Sequence, residues 1–231
     1  MDAHASYVVC GSKSWNRDLF DAELSKLSGE WHFLDSKESL TLEFLESIRP
    51  RYIFFLHWSW IVPEKIVQAF ECVNFHMTDL PYGRGGSPLQ NLILRGHTET
   101  KLTAHRMVKE LDAGPVYGKE PLKLSGSAEE ILRRANSLCA VMIKKIVREE
   151  PVPAPQTGEV TLFERRKPQQ SAIPDSLNVR QLYDFVRMLD AEGYPPACIG
   201  THGFRLEFKN ATLEGDSLSM DVTMHPSSSS L

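Results

Sequence analysis

Hydrophobic positions in the amino-terminal half follow two alternating patterns: short continuous apolar runs, and stretches with apolar residues three or four apart. Tyr7-Val8-Val9-Cys10 is an apolar run ended by Gly11, and Trp15 to Leu27 then sets Leu19, Phe20, Leu24 and Leu27 at helical spacing. Trp31-His32-Phe33-Leu34 predicts a second strand, and Leu40 to Ile48 a short helix stopped by Pro50. Tyr52-Ile53-Phe54-Phe55-Leu56 is continuously apolar, as expected of a strand covered on both faces. Pro63 to Phe70 follows as a helix with proline in its first turn, and Cys72 to Phe75 is the next apolar run. This alternation predicts an α/β fold: a Rossmann-like, mostly parallel sheet flanked by helices, with its ligand site at the carboxyl ends of the strands.

Farther on, Ser87-Pro88-Leu89-Gln90 offers an N-cap, a proline at the first helical position and a capping-box glutamine, predicting a helix to about Gly96. Lys101 to Val108 alternates polar and apolar residues and reads as a strand; Glu110 to Pro115 reads as a turn centred on Asp112, and Val116 to Leu124 as a further strand. Ser127-Ala128-Glu129-Glu130 is a second capping box, opening a long helix with Ile131, Ala135, Leu138, Met142 and Ile146 on one face. That helix closes a first domain over residues 1–150. The proline-rich stretch Glu150 to Gly158 predicts a semi-rigid linker, 151–159. A small, mostly β carboxyl-terminal domain, 160–226, is expected from a strand at Val160 to Phe163, a helix from about Leu177 to Asp190 and hairpin strands Ala197–Ile199, Phe204–Phe208 and Leu218–Val222. Leu182, Phe185, Val186 and Leu189 should face inward on that helix, and Gly200, Gly203 and Gly215 should lie in the turns. Residues 227–231 read as a flexible tail.

Composition adds limits. The 231 residues are 42% hydrophobic and 24% charged with net charge −4, ordinary values for a globular protein with a substantial core. No apolar run approaches the roughly 20 residues that span a bilayer, and Met1-Asp2-Ala3-His4 lacks the layout of a signal peptide, so a cytoplasmic protein without membrane contact is expected. Cys10, Cys72, Cys139 and Cys198 are scattered in apolar surroundings without paired spacing, which predicts reduced core cysteines and no metal site. Net acidity, with no basic block beyond Arg165-Arg166-Lys167, argues against a large nucleic-acid footprint. No Gly-x-Gly-x-x-Gly follows the first strand, so a dinucleotide is not supported.

The candidate chemistry gathers where the Cys72 run ends, at Asn74-Phe75-His76. Alternation along a strand puts Asn74 and His76 on one face, within reach of one reacting group. Asp112, at the centre of its turn, should fall at the same rim. An imidazole moves protons, a carboxylate sets its tautomer and stabilises the imidazolium, and an amide donates to a developing oxyanion, a set suited to acyl transfer. Singly, each has a plainer role, as strand-end capper, core histidine and turn former. The aromatic loop His57-Trp58-Ser59-Trp60-Ile61-Val62 should converge on the same rim and form a ligand slot.

At these residues the chain resembles the enzymes that use 10-formyltetrahydrofolate to formylate an amine. The resemblance is carried by Asn74-Phe75-His76, Thr78-Asp79-Leu80-Pro81, Arg84-Gly85-Gly86, Ser87-Pro88-Leu89-Gln90 and Asp112-Ala113-Gly114, in that order. It implies that residues 1–150 are a formyltransferase catalytic domain and that 10-formyltetrahydrofolate is the formyl donor, without a metal. It further implies His76 as proton shuttle, Asn74 as oxyanion donor and Asp112 as the group that orients His76. The folate would be held by Trp58, Trp60, Ile61 and Val62, by Thr78, Asp79, Leu80 and Pro81, and by Val108, Glu110 and Leu111 of the turn. Thr78-Asp79 departs from the family's more usual Ser-Leu and brings an extra carboxylate to the mouth, and the amino-terminal lead-in looks short.

Within the resemblance the acceptor could be a nucleotide-linked amino sugar, methionyl-tRNA or a purine-pathway glycinamide. The segment after Val160 is short and not notably basic, which favours the amino-sugar nucleotide, a small molecule used in surface-glycan biosynthesis, over tRNA. Tyr82, Arg84 and Gly86 are the expected acceptor contacts, and a homodimer is in keeping with the family. A formyltetrahydrofolate hydrolase, with His76 and Asp112 delivering water, is the alternative from another reaction class.

Overall fold

The structure is a computed structural model that describes residues 5–227; Met1 to His4, and residues 228–231 of the serine-rich tail, lie outside the described residues. In chain order the elements are β1 (Ser6–Gly11), α1 (Ser14–Ala22), β2 (Glu30–Leu34), α2 (Leu42–Ile48), β3 (Tyr52–Leu56), α3 (Glu64–Ala69), β4 (Cys72–His76), β5 (Arg84–Gly85), α4 (Pro88–Leu94), β6 (Glu99–Arg106), β7 (Val116–Lys123), α5 (Ala128–Glu149), β8 (Leu162–Phe163), α6 (Val179–Arg187), β9 (Ala197–Thr201), β10 (Phe204–Glu214) and β11 (Ser217–Pro226). The chain divides into two compact units whose segments interleave. One is Met1–Gly85, Thr100–Leu122 and Arg133–Leu162; the other is Gly86–Glu99, Lys123–Leu132 and Phe163–Leu231.

The first unit is built on a six-stranded sheet of order β2-β1-β3-β4-β6-β7. β1 pairs in parallel with β2 and β3, and β3 with β4, whereas β4 and β6 run antiparallel with Asn74 opposite His105 and His76 opposite Thr103. The sheet is therefore mixed, and flanked by helices as expected. Every residue of β1 and β3 is buried, the reason these strands read as unbroken apolar runs. Val8, Cys10, Ile53, Phe55 and Cys72 form one face and pack with Leu45 of α2 and Ile66 of α3. The alternate positions carry an aromatic band: Tyr7 stacks on Trp31 at 4.5 Å, and Trp31, Phe54 and Phe75 continue it. Burial of each such side chain contributes about 1.5–3 kcal/mol, enough to set the register of the sheet.

Some expected details change. α1 ends at Ala22 and Leu24–Lys26 is a 3-10 turn, with Ser25 Oγ donating to the Asp21 carbonyl. α4 begins at Pro88 as expected, but Ser87 sits at φ 49° and caps nothing. Its Oγ instead accepts from the Arg166 N–H, and Gln90 Nε2 donates to the Met188 carbonyl. The second capping box does form: the Ser127 N–H donates to Glu130 Oε2 at 2.8 Å and the Glu130 N–H to Ser127 Oγ at 3.2 Å. Along α5, Leu138 is only half-buried, and Leu132, Cys139 and Ile143 complete the inward face.

The second unit contains α4, α6 and an antiparallel sheet of order β11-β10-β9. α6 is capped by Asn178, whose Oδ1 accepts from the Gln181 N–H at 2.9 Å. Gly203 and Gly215 hold the hairpin turns at positive φ, while Gly200 lies inside β9 and not in a turn. The ladder slips between Lys209 and Thr212, where Asn210 adopts φ 52° and its N–H donates to Asp190.

Candidate active site

β4 presents Asn74 and His76 on one face two residues apart, and the loop from β6 to β7 returns Asp112 to them. Asp112 is a buried carboxylate at φ 53°, a left-handed backbone that asparagine and aspartate tolerate best among non-glycine residues. Its Oδ2 accepts the Gly85 N–H at 3.0 Å and lies 3.6 Å from His76 Nδ1. Its Oδ1 lies 3.4 Å from Asn74 Nδ2 and 3.4 Å from His105 Nε2. The three sequence-predicted residues are thus joined in one cluster.

Hydrogen-bond partners assign the tautomers. His76 Nε2 is 2.8 Å from the Gly83 carbonyl, which can only accept, so the neutral ring carries its proton on Nε2. Its Nδ1 then faces Asp112 with a lone pair, and a proton taken up there lies against the carboxylate. In the neutral ring of His105, Nδ1 donates to the Arg106 carbonyl at 3.1 Å, leaving Nε2 to accept from Asn74 Nδ2 at 3.2 Å. Burial pushes the His76 imidazole below its ordinary range, against the opposing pull of Asp112 and the Gly83 carbonyl. Burial alone would raise the Asp112 carboxyl, but His105 and His76, when their rings are protonated, and the Gly85 N–H outweigh it and hold it low. Asp112 is therefore the resident anion and His76 a neutral ring at neutral pH.

Gly83 and Gly85 reach these groups at φ 73° and 112°, positions open to glycine. Thr78 is fully buried; its Oγ1 donates to the Gly83 carbonyl at 3.4 Å, and its own carbonyl accepts from Thr103 Oγ1 at 2.6 Å. Leu80 and Pro81, joined by a cis peptide, are buried as well, so this loop supports the site from behind. Asp79 faces outward and is paired with Lys101 at 3.0 Å and with Lys119, which also donates to the Leu80 carbonyl. The extra carboxylate at the mouth is neutralised by two lysines. Burial, which would raise it, is overcome by Lys119 and Lys101, and Asp79 stays low.

The aromatic loop forms a rim. Trp58 and Trp60 meet edge to face at 4.8 Å, and Ile61 is 86% exposed. Trp58 and Ile61 line a cavity of about 300 Å³ with Lys37, Glu38, Leu40 and Pro63, and Trp58 Nε1 is buried without a partner. Val62 turns inward to the core, whereas Val108, Glu110 and Leu111 are exposed on the turn. A larger depression of about 590 Å³ lies at the opposite strand ends, lined by Arg49, Arg51, Glu71 and Arg106 among others, away from Asn74, His76 and Asp112. Of the expected acceptor contacts, Tyr82 is half-buried, Arg84 donates to Gln156, and Gly86 belongs to the second unit, where its N–H bonds the Phe163 carbonyl. Three contributors escaped the sequence: His105, the Gly83–Gly85 backbone and Gln156. Only a strand register places His105 opposite Asn74, and no local pattern marks Gln156.

The fold and this cluster define an α/β protein with an amide, an imidazole and a carboxylate converging at a strand end. Residues 24–136 match the model of the formyl transferase family, and residues 168–225 match that of the methionyl-tRNA formyltransferase carboxyl-terminal domain. A solved structure of methionyl-tRNA formyltransferase from Clostridium thermocellum is 42% identical, with a TM-score of 0.92 over 96% of this chain and 99% of that one. The methionyl-tRNA formyltransferase of Wolinella succinogenes is 30% identical over 147 residues, 61% of this chain and 48% of that protein, so the match spans about half the curated relative. A sugar N-formyltransferase from Shewanella sp. shares the fold at 13% identity and a TM-score of 0.67, over 89% of this chain and 97% of that one. The chain belongs to the formyl transferase family.

Proposed function

We propose that the protein transfers a formyl group from 10-formyltetrahydrofolate to a primary amine, with the amino group of methionyl-tRNA as acceptor. The observation that carries the reaction is the buried contact of Asn74, His76 and Asp112 in a chain of this family. An unprotonated amine attacks the formyl carbon and a tetrahedral oxyanion develops. His76 Nε2–H is a donor ready to turn from the Gly83 carbonyl to the reacting oxygen or nitrogen, and Asn74 Nδ2 can exchange one of its present partners for the oxyanion. When the ring gains a proton on Nδ1, the imidazolium is stabilised by Asp112; as the intermediate collapses the bond from the formyl carbon to the folate nitrogen breaks, the Nε2 proton passing to that departing nitrogen and the amine's proton to solvent. The rim at Trp58 to Ile61, with its adjoining cavity, suits the aromatic folate. No metal is needed, and no group of metal-binding side chains occurs among the described residues.

The acceptor assignment rests on the 42% identity to a methionyl-tRNA formyltransferase and on the match to that enzyme's carboxyl-terminal domain. It is preferred to the amino-sugar nucleotide, which the short and weakly basic segment after Val160 favours, since sugar N-formyltransferases share the fold at low identity. Net charge does not count against tRNA, because docking a polyanion requires local, not overall, positive charge. The test incubates 10-formyltetrahydrofolate with the full chain and, in turn, charged initiator tRNA, nucleotide-linked amino sugars and glycinamide ribonucleotide, reading tetrahydrofolate release and product mass. Formylated methionyl-tRNA is expected, and His76→Ala should abolish it while leaving the protein folded. Formylation of an amino sugar alone would reassign the acceptor, release without any acceptor would indicate the hydrolase, and no release at all would refute the reaction.

A further inference from the structure

The proline-rich stretch after α5 sends one side chain into the wall of the candidate active site. Gln156 Nε2 donates to the carbonyls of Asp112 and Gly114, both at 2.8 Å. Its Oε1 accepts from Arg84 Nε at 3.1 Å and Nη2 at 2.8 Å, so every hydrogen-bonding position of the amide is used. The turn it grips is constrained. Asp112 holds φ 53°, and Gly114 approaches the Arg106 carbonyl so closely that a Cβ would lie 1.8 Å away. Two carbonyls aimed at the same point need a donor between them, and Gln156 supplies both hydrogens.

The other end of the amide reaches the facing wall. Arg84 sits between Gly83, whose carbonyl accepts from His76 Nε2 at 2.8 Å, and Gly85, whose N–H donates to Asp112 Oδ2 at 3.0 Å. One side chain therefore ties the turn that carries the carboxylate to the segment that bonds both carboxylate and imidazole.

We infer that Gln156 is a positioning residue for the transfer reaction, holding the Asp112 carboxylate in register with His76 through the 112–114 turn and through Arg84. Its kinetic consequence rests on the formyl-transfer function proposed above; its effect on the His76–Asp112 pair does not. The carboxylate's pull on the imidazole weakens with distance, so a loosened turn lowers the pH at which His76 titrates. The titratable groups facing His76 are Asp112 and His105, and all are followed together.

The test uses Q156E and Q156L in the full chain. Q156E keeps an acceptor for Arg84 but removes the donors and sets a carboxylate against two carbonyls; Q156L removes both ends. Histidine titrations by NMR, with the His76 signals assigned from a His76→Gln control, should show His76 moving to lower pH in Q156L, whereas the carboxylate that Q156E adds pulls the other way, so Q156E is judged by kcat. With an active acceptor, kcat should fall about 10- to 100-fold while KM for the folate donor stays within about twofold. Unchanged His76 titration and kcat, even with a lowered melting temperature, would make Gln156 a fold support only and overturn the inference. Should the wild type transfer formyl to no acceptor, the proposed function fails while the titration still decides the role of Gln156. Where Q156L does not fold, Q156E and the shorter Q156N carry the test.

Discussion

The most informative single perturbation is Asp112→Asn. Asparagine keeps the shape of the side chain, retains an oxygen for the Gly85 N–H and tolerates φ 53°, so the turn should stand. What disappears is the negative charge 3.6 Å from His76 Nδ1. Two unit charges at that separation interact by about 4–5 kcal/mol at an effective dielectric near 20. The full amount applies only to a fully formed imidazolium, and a transition state develops part of it; at about 1.4 kcal/mol per decade this predicts a fall in kcat of about 10²–10³-fold. KM for the folate donor should change little, because the donor site proposed above is the aromatic rim, away from the Asp112 carboxylate. The acid limb of the pH–rate profile should also move to lower pH, since Asp112 opposes the effect of burial on His76. Stopped or steady-state release of tetrahydrofolate, with circular dichroism and a thermal melt as folding controls, measures this. A folded Asp112→Asn protein retaining activity within about fivefold of wild type would refute the role of the carboxylate.

Three further outcomes follow from the same contacts. Burial and the nearby Lys13 charge push His57 down to about 4, and its Nδ1 is filled by Asn16 Nδ2 at 3.2 Å; below the ordinary histidine value near 6.5 the unfolded chain binds the proton first. Stability should therefore fall between about pH 6.5 and pH 4, by at most about 3 kcal/mol since the residue is only half-buried, and His57→Asn, which suits φ 51°, should flatten that loss in chemical denaturation. Ser127→Ala removes one arm of the capping box at the start of α5 and should cost about 1 kcal/mol in the same measurement. Gly114→Ala drives a Cβ into the Arg106 carbonyl and should destabilise by about 2 kcal/mol or more and abolish transfer; normal stability and activity would show that the turn is looser than it looks.

The strands and helices of the first unit were legible locally because a strand buried on both faces must be apolar throughout, as in Val8 to Cys10 and Ile53 to Leu56. Caps were legible only where no tertiary competitor intervened. Ser127 and Glu130 bond one another as their spacing predicts, whereas Ser87 and Gln90, with the same pattern, give their polar atoms to Arg166 and Met188. The interleaving of the two units was not legible, since the composition of Glu150 to Gly158 does not distinguish a proline-rich linker from an extended segment that stays with the first unit.

The amino-acid sequence alone determined the residue types of the site and the strand end on which Asn74 and His76 share a face, because side-chain alternation is a property of a single strand. It also carried the order of motifs by which the family is recognised. The tertiary structure decided which atoms meet. The antiparallel register of β4 and β6 brings His105 to Asn74, the left-handed turn aims Asp112 at His76, and Gln156 arrives from a remote segment to hold that turn. These contacts join residues distant in the chain through hydrogen bonds whose partners no local pattern encodes, and the Gly83 carbonyl sets which nitrogen of His76 carries the proton.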